Sequence, residues 1–252
     1  MKNYKILVQY DGTRYKGWQV QKSTDMTIQG KLQAVLGELA GHPVEVIGSG
    51  RTDAGVHAVG QVANFHMEGD FSEAAILDYL NHYLPMDIAV TELETVDERF
   101  HARYHAVSKT YEYCIHTSDI PNVFQRKYRY TYTTPLNVEQ MKEAAKHMVG
   151  THDFMAFCGN KKMKKSTVRT VFSIEIYEEK DCIRIAYTGD GFLQNMIRIM
   201  TGTLIEVGNG TKKPAEVSEI IEGKDRSKAG YTVPPEGLML KQVEYAEMAC
   251  DK

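Results

Sequence analysis

A glycine-rich stretch in the first quarter of the chain carries the residues best suited to chemistry. In VIGSGRTDAGVHAVGQ, residues 46–61, Arg51 and Asp53 lie among four glycines. The stretch begins like a GxGxxG dinucleotide loop, but residue 53 is Asp where the third glycine belongs. It also has the glycine spacing of a P-loop, but Val and His follow where Lys and Ser or Thr are needed. A carboxylate would also repel phosphate, so both nucleotide-binding interpretations are excluded.

The residue types leave three roles open for Asp53. An aspartate among glycines is commonly a turn or cap residue whose side chain accepts from nearby backbone amides. A carboxylate is also able to act as a general base. It is equally able to act as a nucleophile on an electrophilic carbon, as carboxylates do in glycoside chemistry.

The elements that must position Asp53 follow an order that occurs twice. In the first half, YKILVQYDG, VEVIG, QVANFHM and IAVTELETV have strand patterns, and TIQGKLQAVLGELAG and SEAAILDYLNHYL have helical patterns. Gly41 is expected to end the first helix, and Ser72 is expected to cap the second. This half therefore gives β-α-β-β-α-β.

The second half supplies the same order with different residues. Its strands are KTYEYCIH, TVFSIEIYEE, CIRIAYTG and LMLKQVEYA, and its helices are NVEQMKEAAKHMVG, capped by Asn137 and Gln140, and GFLQNMIRIMTGTLIEVG. The order predicts an α+β fold of two ferredoxin-like subdomains with antiparallel sheets and an active-site cleft between them. Residues 1–105 would form the N-terminal subdomain that carries Asp53, and residues 106–252 the C-terminal subdomain.

Composition narrows the class of protein. The 252 residues include no apolar run approaching the ~18 that a membrane span needs, and the N-terminal sequence lacks the pattern of a signal peptide, so a cytoplasmic location is expected. The four cysteines are scattered and HExxH is absent, so we expect free thiols and no metal. Residues 106–170 hold eleven Lys/Arg and five Asp/Glu, or +6 against −9 elsewhere, which suits a phosphate-facing surface.

Seven blocks of the sequence resemble, in order, the tRNA pseudouridine synthase A (TruA) family. The blocks are YDGTRYKGWQVQ, GRTDAGVHA, FHARYHAVSKTYEY, THDFMAF, VRTVFSIEI, GFLQNMIRIMTGTL and AGYTVPPEGLML, and together they span nearly the whole chain. The resemblance implies a cofactor-free enzyme that converts uridine to pseudouridine at positions 38–40 of the tRNA anticodon stem-loop. It also implies a homodimer in which one tRNA spans both subunits.

The resemblance assigns roles to individual residues. Asp53 matches the essential aspartate, Arg198 in NMIRIM the partner arginine, and Tyr111 in KTYEY the tyrosine on which the base stacks. Arg198 would hold the charge of the carboxylate, since a nearby arginine favours the ionised form. Tyr113 shares the strand face of Tyr111, so only the resemblance chooses between them. Arg51 would fill the gap left by the flipped base or, alternatively, pair with a carboxylate.

The remaining blocks suggest RNA contacts. The expected contact residues lie in the loop GTRYKGWQVQ and in KKMKK: Arg14, Lys16, Trp18, Lys161, Lys162, Lys164 and Lys165. Trp18 would equally serve as a packing residue, because large aromatic side chains are usually buried. The segment RKYRY would add to the phosphate-binding rim.

Two alternatives remain, and one departure from the family pattern is visible. The chain could act on other RNA positions, or it could be a non-catalytic RNA-binding protein built from two ferredoxin-like units. No RNP1-like string supports the second alternative. Gln194 stands where the family block often has His, and it keeps hydrogen-bonding capacity but does not titrate near neutral pH.

Overall fold

A computed structural model of the chain describes residues 1–160 and 163–246. Within these residues the chain forms ten β-strands and five α-helices, which confirms the predicted mixture of helix and sheet. Two compact units are present. The first contains residues 1–107 and 240–246, and the second contains the described residues between 108 and 239.

The first unit contains an antiparallel sheet and two helices. Its elements are β1 (Lys2–Tyr10), α1 (Ile28–Ala40), β2 (Val46–Gly48), β3 (His57–Met67), α2 (Glu73–Tyr83) and β4 (Ile88–Val96). The strand order is β4-β1-β3-β2. Every second residue of β1 is buried, with Tyr4, Ile6 and Val8 in the core. The period-2 pattern therefore makes one face of this sheet apolar.

The helix boundaries of the first unit follow from local capping. Gly41 ends α1 with φ 72°, a left-handed conformation that suits glycine. The Ser72 Oγ atom accepts from the amide of Ala75 at 3.2 Å and satisfies one of the first free N–H groups of α2. The predicted Gly41 stop and Ser72 cap are both confirmed.

The second unit contains β-strands that are, with one exception, antiparallel to their neighbours. Its elements are β5 (Ala106–His116), β6 (Tyr130–Thr131), α3 (Val138–Lys146), β7 (Gly150–Asp153), β8 (Val168–Glu179), β9 (Cys182–Gly189), α4 (Met196–Gly208) and α5 (Glu216–Gly223). The order is β5-β9-β8-β7, and β6 pairs with β5 in parallel. The strand β10 (Leu238–Tyr245) begins in this unit beside β5.

One helix starts later than its sequence pattern predicts. The pattern predicts a helix over residues 191–208. This prediction is wrong at its beginning, because α4 starts at Met196. Asn195 has φ 59°, a left-handed conformation that interrupts the helical path before Met196. The Asn137 Oδ1 atom accepts from the amide of Gln140 at 3.0 Å, which confirms Asn137 as the cap of α3.

The cysteines and the other features expected from composition can be located in the fold. Cys114, Cys158 and Cys182 are buried free thiols, as expected, and Cys250 lies outside the described residues. Across residues 1–160 and 163–246, no helix combines the length and apolarity that crossing a membrane requires. The same residues hold no group of three or more His, Cys, Asp or Glu side chains arranged for a metal ion.

Candidate active site

Asp53 begins a tight turn in the loop between β2 and β3. The amide of Val56 donates to the Asp53 carbonyl at 3.2 Å, and Gly55, the third residue of the turn, has φ 79°. A type II turn needs a positive φ at that position, which glycine adopts without strain. The side chain of Asp53 is half-buried. Gly55 therefore allows the backbone to turn immediately after Asp53.

The segment between β1 and α1 packs directly on this loop. A Cβ atom added to Gly17, which has φ 97°, would lie 2.6 Å from the Thr52 carbonyl oxygen. A Cβ atom on Gly12 would lie 2.0 Å from the carbonyl oxygen of Val56. The amide of Trp18 donates to the Thr52 carbonyl at 3.1 Å. Glycines at these two positions let one backbone approach the other closely enough to fix the Asp53 loop.

Trp18, a predicted RNA contact, lies in the core of the first unit. Its side chain is 2% exposed, and a Cβ atom added to Gly48 would lie 2.5 Å from its indole ring. Its ring centroid lies 6.1 Å from that of Tyr10. This environment favours the packing role of Trp18 that the sequence left open.

A buried chain of hydrogen bonds joins the Asp53 loop to β1 and β3. The Tyr10 hydroxyl and the Thr52 Oγ1 atom are 2.9 Å apart. Gln61 donates from Nε2 to the Gly50 carbonyl at 3.1 Å and accepts at Oε1 from the Ser49 hydroxyl at 2.7 Å. Burial raises the pKa of Tyr10 well above its usual range, so the hydroxyl stays protonated. This network was not predicted, although a glutamine inside the apolar strand HAVGQVANFHM is a sequence signal for a buried hydrogen-bonded group.

The predicted basic residues of the first unit lie on its surface. The Arg51 Nε atom donates to the Gln19 Oε1 atom at 2.9 Å, and the side chain is exposed. Arg14 forms an ion pair with Asp87, with the Nη2 and Oδ2 atoms 2.6 Å apart. Lys16 is exposed. Arg51 therefore lies on the same loop as Asp53, whereas the guanidinium of Arg14 is already paired with the Asp87 carboxylate.

Arg198 lies in the first turn of α4 and is held on two sides. Its Nε atom donates to the Val233 carbonyl at 2.8 Å, and its Nη1 atom donates to the Asn195 Oδ1 atom at 2.9 Å. Asn195 is the residue in the left-handed conformation that precedes the helix. These contacts fix the plane of the guanidinium. The sequence predicted neither of these contacts, because Asn195 falls inside the helical pattern GFLQNMIRIMTGTLIEVG and Val233 is distant in sequence.

The loop that carries Val233 is fixed against α4 by two glycines. A Cβ atom on Gly202 would lie 1.9 Å from the Tyr231 carbonyl oxygen, and one on Gly230 would lie 2.4 Å from the Thr203 amide nitrogen. The amide of Gly230 donates to the Thr203 Oγ1 atom at 2.8 Å. The helix therefore positions the loop, and the loop in turn orients Arg198.

The two tyrosines of β5 differ in their surroundings. Tyr113 is fully buried and donates its hydroxyl to the Pro234 carbonyl at 2.7 Å. Tyr111 is 7% exposed and packs edge-on against Phe192, with ring centroids 5.5 Å apart. Tyr113 thus serves the packing of the 233–237 loop, which leaves Tyr111 as the candidate for the substrate.

The predicted lysine cluster is described in part. Lys164 and Lys165 are exposed, whereas Lys161 and Lys162 lie outside the described residues. Arg126 and Lys127 of the RKYRY segment are also exposed. These four side chains are therefore accessible to solvent.

Comparisons with known proteins agree with the resemblance. The profile of a family described as tRNA pseudouridine synthase matches residues 6–105 and 144–246. The tRNA pseudouridine synthase A 2 of Bacillus anthracis is 48% identical over 245 residues, 97% of this chain and 100% of the relative. The tRNA pseudouridine synthase A of Bacillus sp. (strain KSM-64) is 49% identical with the same coverage. A relative from Clostridium tetani, tRNA pseudouridine synthase A 1, is 46% identical and also covers 97% and 100%. The chain belongs to the tRNA pseudouridine synthase family.

Proposed function

We propose that this protein isomerises uridine to pseudouridine in tRNA and that Asp53 performs the chemistry. The observation that carries the proposal is the placement of Asp53. Asp53 is half-buried and is the first residue of the turn that contains Gly55. The 12–18 segment and buried hydrogen bonds hold this loop in place. A group held in this way loses little orientational freedom when it reacts, which is the requirement for a positioned nucleophile or base.

The reaction exchanges one bond to the ribose for another. The N-glycosidic bond from C1′ to N1 breaks, the uracil rotates, and a bond from C1′ to C5 forms. The C5 proton is lost and N1 gains a proton, so the product is an isomer of the substrate. Asp53 either attacks C6 or C1′, or removes a proton from the ribose on the way to a glycal-like intermediate. A carboxylate that is ionised at neutral pH is chemically suited to each of these steps.

Three further residues are assigned to the substrate. Tyr111 is proposed to stack on the uracil after it leaves the helix, a contact that is worth about 1–3 kcal/mol per base in other systems. Arg198 is proposed to hold the nucleotide with a guanidinium whose plane the Val233 and Asn195 contacts set. Arg51, exposed on the loop of Asp53, is proposed to enter the gap in the RNA helix.

Exposed basic side chains are proposed to bind the tRNA backbone. The candidates are Lys16, Lys164 and Lys165, with Lys161 and Lys162 as sequence candidates and Arg14 if it exchanges its partner Asp87 for a phosphate. Binding through phosphates releases counterions, so the tRNA dissociation constant should rise steeply with salt. A titration at several salt concentrations measures that slope.

We infer a ferredoxin-like arrangement in each unit. The order β4-β1-β3-β2 in the first unit supports it, as does the order β5-β9-β8 in the second unit, where the first residues of β10 lie beside β5. In each order the fourth strand of the β-α-β-β-α-β sequence precedes the first, third and second, as in a split βαβ unit. The strand β7 is an addition at the edge of the second sheet.

The substrate position and the assembly state are also proposed. We propose the uridines at positions 38–40 of the anticodon stem-loop, action as a homodimer, and a cytoplasmic location. The names of the relatives support tRNA as the substrate, since each is called a tRNA pseudouridine synthase A.

Mapping pseudouridine in total tRNA from a strain with and without the gene tests this function. We expect pseudouridine at positions 38–40 to disappear in the deletion strain and to return with the wild-type gene. Loss at other RNA positions would identify a different substrate. An unchanged map, together with tRNA binding by the purified protein, would favour the non-catalytic RNA-binding alternative.

A further inference from the structure

Gln61 is a fully buried amide whose hydrogen bonds are directed at the loop of Asp53. It lies on β3 and bonds both Ser49 and Gly50, the residues that enter the loop. Its Nε2 atom also lies 3.5 Å from the Tyr10 hydroxyl, whose other contact is Thr52, immediately before Asp53. The network therefore holds the loop on both sides of Arg51.

A buried amide is not needed at this point for packing alone. Burying a polar group is unfavourable unless each atom finds a partner, and an apolar side chain of similar volume fills the same space without that requirement. Gln61 has partners at both amide atoms: Ser49 and Gly50 at the entry of the loop, and the Tyr10 hydroxyl. The Ser49 amide also donates to the Val62 carbonyl at 2.8 Å, which ties the same point to β3.

We propose that Gln61 is a positioning residue for the reaction and that Tyr10 assists it. By fixing the backbone of residues 49–52, the two side chains would set the position and orientation of the Asp53 carboxylate. Their action on the carboxylate would pass through the backbone of the loop. This inference depends on the proposed role of Asp53.

Asn64 supplies a matched control on the same strand. It is also a fully buried amide, but its bonds go to Asn3, to the Phe100 carbonyl at 3.3 Å and to the Ala102 amide at 2.9 Å. Its network therefore fixes the 97–102 segment and does not reach the Asp53 loop. Loss of the Asn64 amide tests the cost of removing a buried network in general.

The experiment compares Gln61→Met, Tyr10→Phe and Asn64→Leu by thermal unfolding, tRNA affinity and single-turnover conversion with enzyme in excess. We expect Gln61→Met to slow single-turnover conversion about 10- to 100-fold, the scale of a small misplacement of a reacting group. Its tRNA affinity should be unchanged. Tyr10→Phe should slow conversion less, and Asn64→Leu should lower the melting temperature while folded protein converts at the wild-type rate.

Two results would overturn the positioning role. One is a wild-type conversion rate in both Gln61→Met and Tyr10→Phe, and the other is an equal slowing in Asn64→Leu. If Gln61→Met does not fold, Tyr10→Phe decides, because it removes only one hydroxyl. Asp53→Asn in the same assay separates this proposal from the proposed function. A fast Asp53→Asn protein would refute the function, whereas an inactive one beside fast Gln61→Met and Tyr10→Phe proteins would refute only the positioning role.

Discussion

The Nε atom of Arg198 donates to the backbone carbonyl of Val233 at 2.8 Å, so a loop 35 residues along the chain orients this side chain. The same loop accepts the Tyr113 hydroxyl at the Pro234 carbonyl. Two adjacent carbonyls thus fix an arginine of α4 and a tyrosine of β5. The blocks NMIRIM, KTYEY and AGYTVPPEG, which are distant in sequence, form one local structure within the second unit.

Replacement of Arg198 by alanine should reduce turnover more than it reduces tRNA binding. A fixed guanidinium orients one nucleotide, whereas tRNA affinity is shared among many phosphate contacts. Single-turnover rates and tRNA dissociation constants measured for Arg198→Ala check this. Arg99→Ala, which changes an arginine paired with Asp97 on the surface, is the control and should match wild type. Equal losses of rate and affinity in Arg198→Ala would make Arg198 a phosphate contact instead.

Replacement of Gly202 by alanine should destabilise the second unit. The new Cβ atom would lie 1.9 Å from the Tyr231 carbonyl oxygen, so the loop must move away from α4. Overpacking of this kind typically costs roughly 1–3 kcal/mol in the free energy of unfolding. Gly223→Ala is the control, because a Cβ atom there meets nothing within 4 Å. Equal melting temperatures for the two variants would contradict the close approach of loop and helix.

Trp18 should report a buried indole in fluorescence. It is the single tryptophan of the chain, so the emission is specific to this site. With 2% exposure, the side chain should resist quenching by acrylamide in the folded protein and become accessible on unfolding. Saturating tRNA should leave the emission maximum unchanged. Ready quenching in the folded state, or a large spectral change with tRNA, would restore Trp18 as an RNA contact.

Mutations of the two tyrosines of β5 should have different effects, on KM for Tyr111 and on stability for Tyr113. If the Tyr111 ring stacks on the base, Tyr111→Leu should raise KM more than Tyr111→Phe does, since phenylalanine keeps the stacking face. Tyr113→Phe should instead cost about 1 kcal/mol of stability through the lost bond to Pro234, with turnover retained. Steady-state kinetics and thermal unfolding of the three variants provide the measurements. Equal effects of Tyr111→Phe and Tyr111→Leu would move the role of Tyr111 to its hydroxyl.

Local signals were enough to predict most helix and strand positions. Ser72, Asn137 and Gly41 mark helix ends because their side chains, or the lack of one, act on the adjacent backbone. The predicted start of α4 was wrong because Asn195 takes a left-handed conformation. Contacts with its surroundings, including the hydrogen bond from Arg198, stabilise that conformation. A helical pattern that continues through residues 191–195 carries no trace of that contact.

The candidate site was predicted only in part, since its support comes from residues distant in sequence. The glycines around Asp53 indicated a turn, and Gly55 forms one. The partners of Gln61 and the burial of Trp18 depend on which segments pack together, and periodicity within one segment does not contain that information. Tyr111 and Tyr113 are equivalent by strand periodicity, so the choice of Tyr111 came from the family resemblance, and the tertiary contacts of the two rings differ.

The central claim is that the Asp53 carboxylate performs the isomerisation. Asp53→Asn keeps the size of the side chain but removes its charge and basicity, and Asp25→Asn makes the same change at an exposed aspartate paired with Lys31. Single-turnover conversion of a tRNA transcript by the two variants, beside their tRNA affinities, is the most direct measurement. We predict that Asp53→Asn binds tRNA and forms no pseudouridine, while Asp25→Asn matches wild type. Conversion by Asp53→Asn at the wild-type rate would contradict the claim.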